Sequence, residues 1–131
     1  YMGVPDNPDI LKKWKDAGAY LQVNYGSFAG RYGAAPQDIA YRIVEAGLAD
    51  YLSSDFHGHS GLKIYKREAW EALESRDSTG TLETLCRANA SRLLEGLEPL
   101  PVTPLPGASR LLERLKGMVR RRDRRMEGRT G

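Results

Sequence analysis

Two short apolar segments, residues 19–24 and 48–54, each run straight into a glycine-bearing loop, and each follows a stretch of helical periodicity. That alternation limits the fold more than any other feature, because helix, strand, helix, strand calls for parallel strands joined by helical crossovers, in an α/β sheet or barrel. The first helix opens at Asn7-Pro8-Asp9, where Asn7 can cap, Pro8 suits the first helical position and Asp9 favours the positive helix end. Ile10, Leu11 and Trp14 share one face, and Gly18 ends the helix. After the first strand, residues 26–33 form a loop with three glycines. A second helix starts at Pro36, with Ile39, Ala40, Ile43, Val44 and Ala46 at helical spacing, and stops at Gly47. Helices are predicted over 66–75 and 81–94, the latter broken near Asn89, with Gly96 as a stop. Two strands can neither close a barrel nor cover both faces of a sheet, so these residues read as part of a larger architecture.

Pro99, Pro101, Pro104 and Pro106 predict a stiff, extended linker over 99–107. Beyond it, residues 108–131 form a basic tail whose helix carries Leu111, Leu112, Leu115 and Val119 on one side. From Ser109 onward there are nine basic and three acidic residues, so the net charge of +3 conceals a mildly acidic body. Polyanion binding would rest on the tail alone. Arg120-Arg121-Arg122-Asp123-Arg124-Arg125 can make weak contact with an anionic membrane surface, but it holds no aromatic residue to stack on bases. No nucleic-acid partner is therefore expected, and a solvated terminal helix is the plainer account. With 131 residues, 40% apolar, the chain can bury a core, and no apolar run is long enough to cross a bilayer. The single cysteine, Cys86, forbids an internal disulfide and points to a reducing, cytoplasmic setting. It falls within an amphipathic helix and reads as a packed residue rather than a nucleophile.

Loops after the C-terminal ends of parallel strands line the ligand site in folds of this class. The second such loop holds Asp55 and His57 two residues apart, and in an extended segment side chains at i and i+2 face the same way. A carboxylate and an imidazole so placed can share one cation. An aspartate capping the next turn beside a surface histidine fits the same spacing. His59 repeats the two-residue step and is a weaker candidate, since the chain after Gly58 is not expected to stay extended. In the first loop, Arg31 either faces a substrate phosphate or is a surface arginine. Asn24 and Tyr25 at the strand end are explained by hydrogen bonding to the loop backbone.

The run Gln22-Val23-Asn24-Tyr25-Gly26-Ser27-Phe28-Ala29-Gly30-Arg31-Tyr32-Gly33, then a helix, then Leu52-Ser53-Ser54-Asp55-Phe56-His57, resembles the polymerase and histidinol phosphatase (PHP) superfamily. Within it, the likeness is to bacterial protein tyrosine phosphatases of capsule and exopolysaccharide operons, and residues 87–96 resemble that branch's closing element. The resemblance covers roughly residues 1–96 and implies a distorted barrel of seven β/α units, of which residues 1–98 form the C-terminal portion. It also implies a cluster of divalent metal ions, often manganese, with Asp55 and His57 among the ligands. The implied activity is metal-assisted hydrolysis of a phosphotyrosine ester, the usual partner being a tyrosine kinase of polysaccharide synthesis.

This sequence departs from the family in two respects. The family's other ligands, an N-terminal His-x-His among them, are absent, and Tyr1 resembles the tyrosine of a His-x-Glu-Arg-Tyr-like segment, so the chain is expected to begin just after that segment's ligand histidine and phosphate-binding arginine and to be inactive alone. Where the family has an arginine five residues after the metal-binding histidine, this chain has Leu62; Lys63, one place on, is a candidate for the phosphate or a solvated loop lysine. Two other functions stay open: a PHP phosphatase for a small phosphate ester, and a non-catalytic α/β module docked through its basic tail.

Overall fold

The computed structural model of the protein describes residues 5, 7–58, 61 and 63–107. The tail over 108–131, His59 and Leu62 lie outside the described residues, and with them the expectations attached to each. Helix α1, Pro8–Asp16, begins as its sequence requires, with the Asn7 side chain accepting the Asp9 N–H at 2.9 Å. Its inward face is narrower than the periodicity predicted. Leu11 is buried, whereas Ile10 and Trp14 remain 38% and 41% exposed.

Strand β1, Gln22–Asn24, pairs in parallel with β2, Tyr51–Ser53, in the register Gln22 with Tyr51, Val23 with Leu52 and Asn24 with Ser53. The parallel ladder and its helical crossover are as the alternation predicts, but each strand is half the expected length. Asp50 accounts for the late start of the ladder. Its carboxylate accepts the Leu21 N–H at 2.8 Å and holds Lys15 of α1 at 2.5 Å, so a side chain takes the donor that a longer ladder would use. Val23 and Leu52 join the core, while Gln22, Asn24 and Ser53 alternate to the other, more polar face.

A short helix, α2 (Tyr25–Phe28), follows β1 directly where a glycine loop was expected. All four of its residues are buried, and Phe28 meets Tyr41 edge to face with ring centroids 5.3 Å apart. Burial between α3 (Ala34–Glu45) and α4 (Lys66–Glu74), rather than intrinsic propensity, stabilises this single turn. Helix α3 carries Ala40, Ile43 and Val44 into the core, and α4 carries Ala69 and Leu73.

From Thr81 the chain is helical to Leu94 through α5 (Thr81–Glu83), a π turn (Thr84–Ala88) and α6 (Asn89–Leu94). Gly80 offers no side-chain cap, and the Asp77 carboxylate substitutes, accepting the N–H groups of Thr81 and Leu82 at 2.9 and 2.8 Å. The break expected near Asn89 is a wider turn ending at Ala88, not an interruption. Cys86 is half-buried on this helix, and burial pushes its thiol up from the ordinary value, which leaves it a poor nucleophile.

The proline-rich segment 99–107 lacks helix and strand, as expected, yet it does not behave as a spacer. Leu105 is 1% exposed and its N–H donates to the Val44 carbonyl at 3.0 Å, while the Thr81 hydroxyl donates to the Thr103 carbonyl. The prolines stiffen a strap that lies across the end of α3, because Leu105 gains more from burial than an extended linker would keep. Gly47 makes room for it. Its φ is +68°, and a Cβ there would sit 2.9 Å from Pro104 Cγ. Gly47→Ala should therefore destabilise the protein by about 2 kcal/mol, combining left-handed backbone strain with displacement of the strap. A fall in melting temperature of roughly 10 °C is expected, and an unchanged value would show that the strap yields freely.

Candidate active site

Both strands end at the same edge of the sheet, so the residues that follow them share one cleft of about 390 Å³. Gly26, Arg31 and Tyr32 line it from the first strand-end segment, Ser54, Asp55 and His57 from the second, and Lys63 and Tyr65 from the approach to α4. Of the residues singled out from sequence, Arg31, Asp55, His57 and Lys63 thus meet in one place, while His59 lies outside the described residues.

The reason Asp55 and His57 meet differs from the one the spacing suggested. Asp55 has φ +51°, so the chain turns there instead of running on extended. Aspartate tolerates this left-handed conformation better than most residues. The Ser54 hydroxyl accepts the Phe56 N–H at 3.2 Å within the turn, leaving Phe56 50% exposed. The turn brings the His57 ring back onto its own backbone, with Nδ1 2.7 Å from the Asp55 carbonyl oxygen. A carbonyl only accepts, so Nδ1 carries the proton and, in the neutral ring, the lone pair is on Nε2. That is how a metal-binding histidine is commonly oriented from behind.

The donor set suits a divalent metal as far as it goes: one carboxylate and one imidazole of fixed tautomer in one cleft. Among the described residues no third histidine, cysteine, aspartate or glutamate is placed with them to complete a metal site. Two donors hold a metal only weakly.

The cationic side of the cleft is organised around Tyr65. Arg31 donates from Nη1 to the Tyr65 hydroxyl at 3.2 Å, and its guanidinium carbon lies 5.5 Å from the Tyr65 ring centroid and 5.8 Å from that of Tyr32. The Tyr65 hydrogen bond is the main influence raising the guanidinium further above its ordinary pKa. Lys63 lies 5.1 Å from the same Tyr65 centroid and pairs with Glu68, whose carboxyl is held below the usual range chiefly by that contact. Gly26 also shapes this side, since a Cβ there would come within 3.2 Å of the Tyr32 ring and 3.3 Å of Arg31 Cδ. Tyr65 was not legible as a site residue: it is 34 positions from Arg31, and no motif joins them.

The family model described as capsular polysaccharide synthesis, CpsB/CapC, matches residues 1–95. The tyrosine-protein phosphatase YwqE of Bacillus subtilis is 29% identical over 109 residues, covering 83% of this chain and 42% of that protein. A solved structure, from work on YwqE of Bacillus subtilis and CpsB of Streptococcus pneumoniae as unique metal-dependent tyrosine phosphatases, matches with a TM-score of 0.65 and 29% identity, over 78% of this chain and 41% of the other. The chain spans about two-fifths of the length of these relatives. With the family model matching most of its length, the chain belongs to the CpsB/CapC family of capsular polysaccharide synthesis.

Proposed function

We propose that this chain supplies part of the active site of a metal-dependent protein-tyrosine phosphatase. The observation that carries the reading is the meeting of two metal-donor side chains, Asp55 and His57, with two cations, Arg31 and Lys63, in one cleft at the strand ends. The Asp55 carboxylate and His57 Nε2 would serve as ligands. A divalent metal held there, with Mn2+ as the proposed ion, would supply charge for the phosphate oxygens and for activation of the hydrolytic water. Arg31 and Lys63 offset the remaining charge of the phosphate dianion, the former with a planar fork and the latter as a point charge. Water would attack phosphorus in line as the bond to the tyrosine oxygen breaks, and the proton that the water gives up ends on the departing tyrosine oxygen. No thiol is needed, in keeping with the half-buried Cys86.

The substrate we propose is phosphotyrosine on a cytoplasmic bacterial kinase of capsule or exopolysaccharide synthesis, with the remaining ligands drawn from the other units of a seven-unit β/α barrel. A protein holding this segment within such a barrel should hydrolyse a phosphotyrosine peptide, lose that activity on chelation and regain it with Mn2+. The 131 residues alone should reach no more than about 1% of that rate, since the two ligands among the described residues cannot hold a metal cluster. Chelator-resistant hydrolysis by the complete protein, or equal rates for the isolated chain, would contradict the proposal.

A further inference from the structure

Tyr65 combines three features that a passive surface tyrosine does not need. Its φ is +60°, a backbone conformation that aromatic residues rarely adopt and that tends to persist only where surrounding contacts enforce it. Its carbonyl accepts the Ala69 N–H at 3.0 Å and so anchors the first turn of α4. Its side chain touches both cations of the cleft: the hydroxyl accepts from Arg31, and the ring lies 5.5 Å from the Arg31 guanidinium and 5.1 Å from the Lys63 ammonium. Lys63 is also held by its ion pair with Glu68, and the negative face of the ring adds to that hold while drawing the Arg31 guanidinium to the same edge. The Tyr65 hydroxyl uses one of the five N–H donors of Arg31 and sets the plane of the others.

We infer that Tyr65 is a positioning residue for phosphate: it holds Arg31, and through its ring Lys63, at the edge of the cleft where a phosphate monoester dianion binds. This rests on the phosphatase reading above, but it concerns affinity for the anion rather than the metal. An arginine held in place binds an oxyanion more tightly than a mobile one, because less side-chain freedom is lost on binding.

The test uses the 131-residue chain with inorganic phosphate as the probe and no added metal, following Kd by calorimetry or 31P NMR. Arg31→Gln should weaken phosphate binding by roughly tenfold, and Tyr65→Phe, which keeps the ring and loses only the hydroxyl, by roughly threefold to fivefold. On the Arg31→Gln background, Tyr65→Phe should add no further loss, since the hydroxyl acts through Arg31. The melting temperature of Tyr65→Phe should match that of the wild type. In a complete barrel the same variant should raise KM for a phosphotyrosine peptide and leave kcat within about twofold. Unchanged phosphate affinity in Tyr65→Phe, additive losses in the double variant, or a wild-type chain that takes up no phosphate would each overturn the inference. None of these results bears on chelator sensitivity, so the positioning role and the metal-dependent chemistry fail separately.

Discussion

Replacing His57 by alanine, in a protein that holds this segment within a complete barrel, should lower Mn2+-stimulated hydrolysis of a phosphotyrosine peptide at least about 100-fold, close to 3 kcal/mol of transition-state stabilisation. The expected size follows from the scarcity of donors: Asp55 and His57 stand without a third metal-binding side chain among the described residues. Asp55 needs a more careful substitution. Its φ of +51° means that Asp55→Ala would alter the backbone as well as remove a ligand. Asp55→Asn keeps a residue that tolerates the left-handed region while removing the charge, so it isolates the chemistry. Both side chains are exposed, and the fold should therefore survive, with melting temperatures close to that of the unmodified protein when no metal is added. Should kcat/KM for His57→Ala or Asp55→Asn stay near the wild-type value in Mn2+, these residues would not be ligands.

The order of elements and the parallel pairing were legible because hydrophobic period and glycine stops are local signals, as at Asn7, Gly18 and Gly47. The site was legible only in part. Spacing pointed to Asp55 and His57, but for a reason the backbone does not supply, since the chain turns at Asp55 and does not run extended. Arg31 and Lys63 were single cations in separate loops until Tyr65 linked them, and that link depends on how α4 packs beside α2. The packing of the strap was illegible for a related reason. Four prolines indicate an extended chain, yet whether that chain lies in solvent or on a surface depends on distant partners such as Val44 and Gly47.

Asn89 is the partner that holds the strap most firmly, and its loss should have the largest effect on stability. It is fully buried at the head of α6, where an asparagine would ordinarily be a poor choice. Its amide nitrogen donates to the Asp50 carbonyl at 2.9 Å and to the Leu100 carbonyl at 3.3 Å, and its Oδ1 accepts the Leu100 N–H at 2.7 Å. One side chain thus joins the entry to β2, the helix and the start of the strap. Asn89→Ala would strand these backbone groups and leave a small cavity, costing about 3 kcal/mol and lowering the melting temperature by roughly 15 °C. Asn89→Asp separates hydrogen bonding from packing, since it preserves volume and the acceptor for Leu100 but sets a carboxylate against the Asp50 carbonyl. That carboxyl would have a raised pKa in the folded state, so the deficit relative to wild type should grow as pH rises through that raised value and narrow as pH falls toward the unfolded aspartate value of about 4, since the protonated oxygen can donate. Denaturant titrations at several pH values read both effects, and proteolysis within 99–107 should accelerate as the strap loosens. A loss below about 0.5 kcal/mol for Asn89→Ala, or a deficit for Asn89→Asp that ignores pH, would mean that packing rather than this amide holds the strap to the body.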